Sequence, residues 1–164
     1  MERIYLHWSG GDYVTVHAAY HYCVAYDGSS VYVVQTNDLR ANMRDVYADE
    51  GPYAAHTYRR NSFAAGLSVM GMQGATPHDF GAFPLRDDMV GALCVAAARI
   101  AAAYAIPVER ILTHAEAAVE DGYFGAGSDD LRWDIARLRP SAGALRAEEA
   151  RETGEILRAR IASA

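Results

Sequence analysis

The chain has 164 residues, a formal net charge of −6 and a 51% hydrophobic composition, which suits one compact domain with a sizeable core. With 22% charged residues it does not read as disordered, and its negative balance argues against tracking nucleic-acid phosphates. No apolar run reaches the roughly 18 residues of a membrane span, so membrane insertion is not expected.

Along the chain, Ile4 to Trp8 reads as a short buried strand, and Tyr20 to Tyr26 as a second, closed by the turn signal Asp27-Gly28. Val31 to Gln35 pairs back as a hairpin. Asn37 to Arg60 is polar and punctuated by Gly and Pro, hence mostly loop. Phe63 to Met70 is a further apolar strand, and Pro77 to Pro84 is loop. Met89, Leu93, Ala97, Ile100 and Tyr104 repeat at helical spacing and predict a helix from Asp87 to Tyr104. Asp87 and Asp88 favour its N-terminus through the helix dipole, and Pro107 ends the region. Ile111-Leu112 is a short apolar run leading to Thr113-His114. Ala144 to Ala162 reads as a polar helix whose thin stripe, Leu145, Ile156, Leu157 and Ile161, predicts a surface position. The order implies an α/β domain, 1–164, with a central mixed β-sheet flanked by α-helices.

All 15 basic residues are Arg, so any catalytic cation has to be a guanidinium. Cys23 and Cys94 are too few and too far apart for a disulfide framework or a Cys-x-x-Cys site, and read as buried free thiols. Of six histidines, His7 ends an apolar strand and His114 follows one, positions from which a side chain can be aimed at a cleft. Asp134 follows a Gly/Asp-rich loop from Gly122 to Asp130. Catalytic zinc needs about three protein ligands and an open position, and these three segments offer them. The alternative for each histidine is a hydrogen-bonded structural role. Asp129 and Asp130 read as solvated loop, and His17 and His78 as surface or loop residues. His21 alternates with Tyr20 and is structural if Tyr20 faces the site. Trp8, Tyr58, Phe80, Phe83 and Trp133 are either groove aromatics or core, with core favoured for Trp133.

Four pieces, in order, carry a resemblance. They are Ile4-Tyr5-Leu6-His7-Trp8-Ser9; Ala19-Tyr20-His21-Tyr22-Cys23-Val24 with Asp27-Gly28; His56 with Asn61-Ser62 and Ala65-Gly66-Leu67-Ser68-Val69; and Thr113-His114-Ala115-Glu116 followed by Arg132-Trp133-Asp134. Together, over about residues 3–138, they resemble the zinc-dependent N-acetylmuramoyl-L-alanine amidases related to peptidoglycan recognition proteins, including phage endolysins. The resemblance implies that fold, with the helix at about 144–162 outside the core. It implies one zinc ion on His7, His114 and Asp134, with Tyr20 and Arg132 as catalytic residues. Tyr20 would sit over the attacking water and Arg132 would stabilise the oxyanion. It also implies substrate contacts from His56 and Asn61, although a loop-packing role suits His56 equally. Glu116 reads as a residue behind the ligands, orienting one of them or closing a loop.

Three departures stand out. Ser68 occupies the place where some relatives carry a catalytic Glu. Arg132 replaces the family's usual Lys, which changes geometry and hydration. The dozen residues between His7 and Tyr20 are too few for the usual long first helix, so one wall of the groove should be missing or rebuilt. The expectation is a monomeric, bacteriolytic hydrolase of bacterial peptidoglycan. The N-terminus lacks the marks of a secretory signal, which implies cytoplasmic synthesis and release onto the cell wall, as for an endolysin. The alternatives are a non-catalytic peptidoglycan-binding module of the same fold, or a zinc amide hydrolase with another substrate.

Overall fold

The computed structural model describes residues 1–125 and 132–164. It holds five strands, β1 (Arg3–Trp8), β2 (Tyr22–Tyr26), β3 (Val31–Gln35), β4 (Ala64–Val69) and β5 (Ile111–Thr113), and three α-helices, α1 (Asp87–Tyr104), α2 (His114–Glu120) and α3 (Ala147–Ala162). The strands form one mixed sheet in the order β3-β2-β4-β1-β5. β1 runs parallel to β4 and β5, β2 runs parallel to β4, and the β2–β3 hairpin is antiparallel. The turn follows from Asp27, whose carboxylate accepts from the amides of Ser29 and Ser30, with Gly28 at φ 97°. The described residues therefore form an α/β fold with a five-stranded mixed sheet and three α-helices. None of the helices is long and apolar enough to cross a membrane.

The two faces of the sheet have different jobs. Ile4, Leu6 and Trp8 of β1 and Ala65, Leu67 and Val69 of β4 point into the main core, where α1 supplies Met89, Leu93, Cys94, Ala97 and Ile100. Side chains alternate along a strand, so Tyr5 and His7 emerge on the other face. Their register partners on β4 are Gly66 and Ser68. Small residues on that face of β4 leave room for the 54–61 segment to lie against the sheet.

Three expectations change. β2 begins at Tyr22, because residues 17–20 form a turn with the Tyr20 amide bonded to the His17 carbonyl. Residues 114–120 are a helix. And the packed face of α3, a helix at the surface, is wider than a thin stripe: Ala150, Thr153, Gly154, Leu157 and Ile161 are buried against α1 and α2, while Ile156 is exposed. Its packing face is built from small residues that a search for large apolar side chains passes over.

Candidate metal centre

The site lies where the C-terminal ends of β1 and β5 meet. Leu6 of β1 is paired with Thr113 of β5, so the next residues along, His7 and His114, are neighbours, with ring centroids 4.8 Å apart. α2 starts at His114 without a linker because Thr113 and Glu116 form a capping box. The Thr113 hydroxyl accepts the Glu116 amide at 3.1 Å, and the Glu116 carboxylate accepts the Thr113 amide at 2.9 Å. Glu116 touches none of the three candidate ligands through these bonds. Its other partner is Arg158 of α3, 2.9 Å away. It closes the strand–helix junction that carries His114, and Gly154 makes room for it, since a Cβ there would overlap the carboxylate.

Asp134 reaches the site from a pinned segment. Its carbonyl accepts the Ala115 amide at 3.1 Å. Trp133 on one side packs against Trp8, centroids 4.4 Å apart. Ile135 on the other is fully buried in the left-handed region, φ 58°, a strained setting for a β-branched residue. The surrounding core thus fixes the direction of the Asp134 side chain.

The three side chains converge. Nδ1 of His7 lies 3.3 Å from Asp134 Oδ2, and Nδ1 of His114 lies 3.1 Å from the same oxygen. One donor atom from each residue falls within 4.8 Å of the other two, and this is the one group of its kind among the described residues that can hold a metal ion. The donors fit such an ion. His114 Nε2 is buried and has no hydrogen-bond partner among the described residues, so its ring is held through Nδ1 alone. Burial lowers His7 to about 4, against the opposing pull of Asp134, so its imidazole is neutral near pH 7, as a metal ligand must be. Burial alone would raise Asp134, but its close contacts with His114 and His7 overcome it and hold the carboxyl well below the usual range.

A cleft of about 520 Å³ opens beside the group. It is lined by Tyr20, Tyr47, Tyr53, His56, Tyr58 and Arg132 as well as by His114 and Asp134. Tyr20 lies 5.1 Å from His7 ring to ring, and its hydroxyl donates to the Trp8 carbonyl at 3.3 Å. Burial pushes that phenol up, so it stays protonated. Arg132 is on the cleft wall, near enough to oppose protonation of His7. Residues 9–21 contain no helix, and the 53–61 segment supplies the facing wall instead.

His56 borders the cleft but is buried, its Nδ1 2.9 Å from Thr57 Oγ1 and its Nε2 3.4 Å from the Ala64 carbonyl. Asn61 is also committed internally. Its Oδ1 accepts the amides of His56 and Thr57, and its Nδ2 donates to Tyr47 Oη. It closes the turn and also lines the cleft. His21 is structural: Nδ1 accepts the Gly66 amide and Nε2 meets Asn42 Oδ1 at 3.1 Å. Trp8, Phe80 and Trp133 form a buried aromatic cluster rather than a groove, Phe83 packs on Tyr13, and only Tyr58 of the five reaches the cleft. Asp129 and Asp130 lie outside the described residues. The residue missed from the sequence is Thr57, whose Oγ1 is 3.2 Å from His7 Nε2. Its one sequence signal was a hydroxyl adjoining a histidine.

No protein-family model, curated protein or solved structure matches this chain.

Proposed function

We propose that this chain is a zinc-dependent hydrolase that cleaves the amide bond between N-acetylmuramic acid and L-alanine of bacterial peptidoglycan, an endolysin-type amidase. The observation that carries the reading is the convergence of two imidazole nitrogens on one carboxylate oxygen at the mouth of a cleft. Ligands about 2.0–2.2 Å from a tetrahedral zinc are spaced roughly 3.3 Å from one another. The two Nδ1–Oδ2 separations, 3.3 and 3.1 Å, have that spacing. The amidase fold and the choice of peptidoglycan rest on the four ordered motifs, the first and last of which hold these ligands.

When bound, zinc supplies Lewis acidity and activates water near neutral pH. The chain's own groups do the rest. His7, His114 and Asp134 would hold the ion with two imidazoles and one carboxylate, a donor set that leaves it a residual positive charge. Arg132 adds a permanent cation on the cleft wall, and such a donor is worth about 3 kcal/mol in the transition state. Tyr20 keeps a hydroxyl proton available beside His7. Tyr47, Tyr53 and Tyr58 offer flat, amphipathic surfaces to a glycan and its stem peptide.

The test is clearing of purified peptidoglycan with and without a chelator, with mass spectrometry of the released muropeptides. Chelator-sensitive clearing with new L-alanine amino termini is the expected result, and equal clearing after chelation would sink the reading. Binding without release would favour a non-catalytic module of this fold. Cleavage of some other amide would keep the zinc hydrolase and change its substrate.

A further inference from the structure

A line of hydrogen bonds runs from the backbone of β4 to the candidate metal centre. Ala64 O is 3.4 Å from His56 Nε2, His56 Nδ1 is 2.9 Å from Thr57 Oγ1, and Thr57 Oγ1 is 3.2 Å from His7 Nε2. Each of the three side chains is buried. We infer that Thr57 and His56 are positioning residues that transmit the polarity of the Ala64 carbonyl to His7, fixing the imidazole as the Nε2–H tautomer with the Nδ1 lone pair facing Asp134.

Donor and acceptor counting places each proton along this line. A backbone carbonyl accepts and never donates, so His56 carries its proton on Nε2. The ring is neutral, because it is buried and none of its hydrogen-bond partners is a carboxylate. Its Nδ1 is then an acceptor, and the Thr57 hydroxyl has one proton to give it. With that proton spent, Thr57 Oγ1 can only accept from His7, so His7 donates from Nε2. The reverse order would set a lone pair of His56 against the Ala64 carbonyl. Without the relay, His7 would be drawn the other way, since Asp134 Oδ2 lies 3.3 Å from Nδ1 and attracts a proton to the atom that must bind the metal. The neighbouring bonds hold the relay in place. Asn61 Oδ1 accepts the amides of both His56 and Thr57, and Gly66 leaves the space that the His56 ring fills.

This inference rests on His7 as a metal ligand and is independent of the substrate. It is tested by long-range ¹H–¹⁵N NMR of histidine tautomers in the metal-free wild-type protein and by zinc titration of the wild type, Thr57→Val and Thr57→Ser. The relay requires an unprotonated Nδ1 on His7 in the wild type; a resolved Nδ1–H overturns it. Thr57→Val should move the His7 proton to Nδ1 and weaken zinc binding about tenfold or more, in the range for partners behind a ligand, and Thr57→Ser should restore both. A folded Thr57→Val protein with wild-type tautomer and affinity overturns the proposal. The wild-type spectrum needs no variant, so it decides the relay even if Thr57→Val fails to fold. A wild type that takes up no zinc defeats the metal-centre reading separately, and the spectrum still decides the relay.

Discussion

His56 lies directly against the Cα of Gly66, so that a Cβ at position 66 would overlap His56 Cβ, Cγ and Cδ2. Gly66 is in the middle of β4, paired with Tyr5, with its backbone bonded to His21 on both sides. Neither partner can move away cheaply. Gly66→Ala should destabilise the protein by about 1–3 kcal/mol, the usual cost of overpacking. Urea denaturation measures this, and a midpoint equal to that of wild type would show that the 54–61 segment is not seated as described.

The sequence and the structure agree where local chemistry decides the outcome. The Asp27 turn makes the β2–β3 hairpin, and the 3.6-residue period of Met89, Leu93, Ala97 and Ile100 makes α1. His7, His114 and Asp134 were nameable because strand ends and ordered motifs mark them. α2 was missed because seven residues give too little period to read, although Thr113-x-x-Glu116 is a capping-box signature. The roles of Thr57 and Asn61 could not be read at all. Thr57 acquires its meaning from His7, fifty residues away, and Asn61, which lines the cleft, also holds the backbone of the turn through Oδ1. The burial of Gly154 and Thr153 likewise depends on what lies opposite them, Glu116 of α2 and the Ala136 carbonyl.

Stability should fall steeply in mild acid. Burial lowers both His7 and His21 to about 4 and takes His56 well below its ordinary value, whereas in the unfolded chain all three titrate near 6.5. Between these limits the unfolded chain binds more protons than the folded one, so unfolding becomes easier as pH drops. The contribution is complete above about pH 6.5 and is lost progressively towards pH 4, at roughly 1 kcal/mol per pH unit for each histidine. Asp134, held low, stays ionised throughout this window. Urea midpoints of metal-free protein across pH 4–7 measure the slope, and a flat profile would contradict three neutral buried imidazoles.

Arg158 neutralises a carboxylate that has little access to water. Glu116 is 5% exposed, burial raises its carboxyl, and Arg158 meets it at 2.9 Å while also donating to the Ile111 carbonyl. Arg158→Ala leaves that charge buried and should cost about 3 kcal/mol. Glu116→Gln in the same chain should recover part of the loss, because the two residues act as a pair. Additive losses in denaturation experiments would mean the pair contributes nothing as a unit.

The ligand set makes a sharper demand than loss of activity. His114→Ala and Asp134→Asn should each reduce bound zinc from one equivalent to near none in dialysed protein while leaving the far-ultraviolet circular dichroism unchanged. His114 Nε2 makes no hydrogen bond among the described residues, so truncating that ring breaks one side-chain hydrogen bond, that of Nδ1 to Asp134. Retention of one tightly bound zinc in either variant would exclude the corresponding ligand.

Tyr20 separates a catalytic hydroxyl from a structural one. Its ring is 5.1 Å from that of His7, and its hydroxyl spans 3.3 Å to the Trp8 carbonyl, a long bond that a better acceptor in the cleft can displace. Tyr20→Phe keeps the ring and removes the donor. A hydroxyl that serves the developing oxyanion should cost about a hundredfold in kcat, with KM and zinc affinity little changed, because the interaction is made only in the transition state. A hydroxyl that merely braces Trp8 should leave kcat alone and cost about 1 kcal/mol of stability, the net value of one hydrogen bond. Steady-state kinetics on purified peptidoglycan, set beside a denaturation curve of the same variant, distinguishes the two. The proposed chemistry requires the first outcome, since burial keeps this phenol protonated and beside His7.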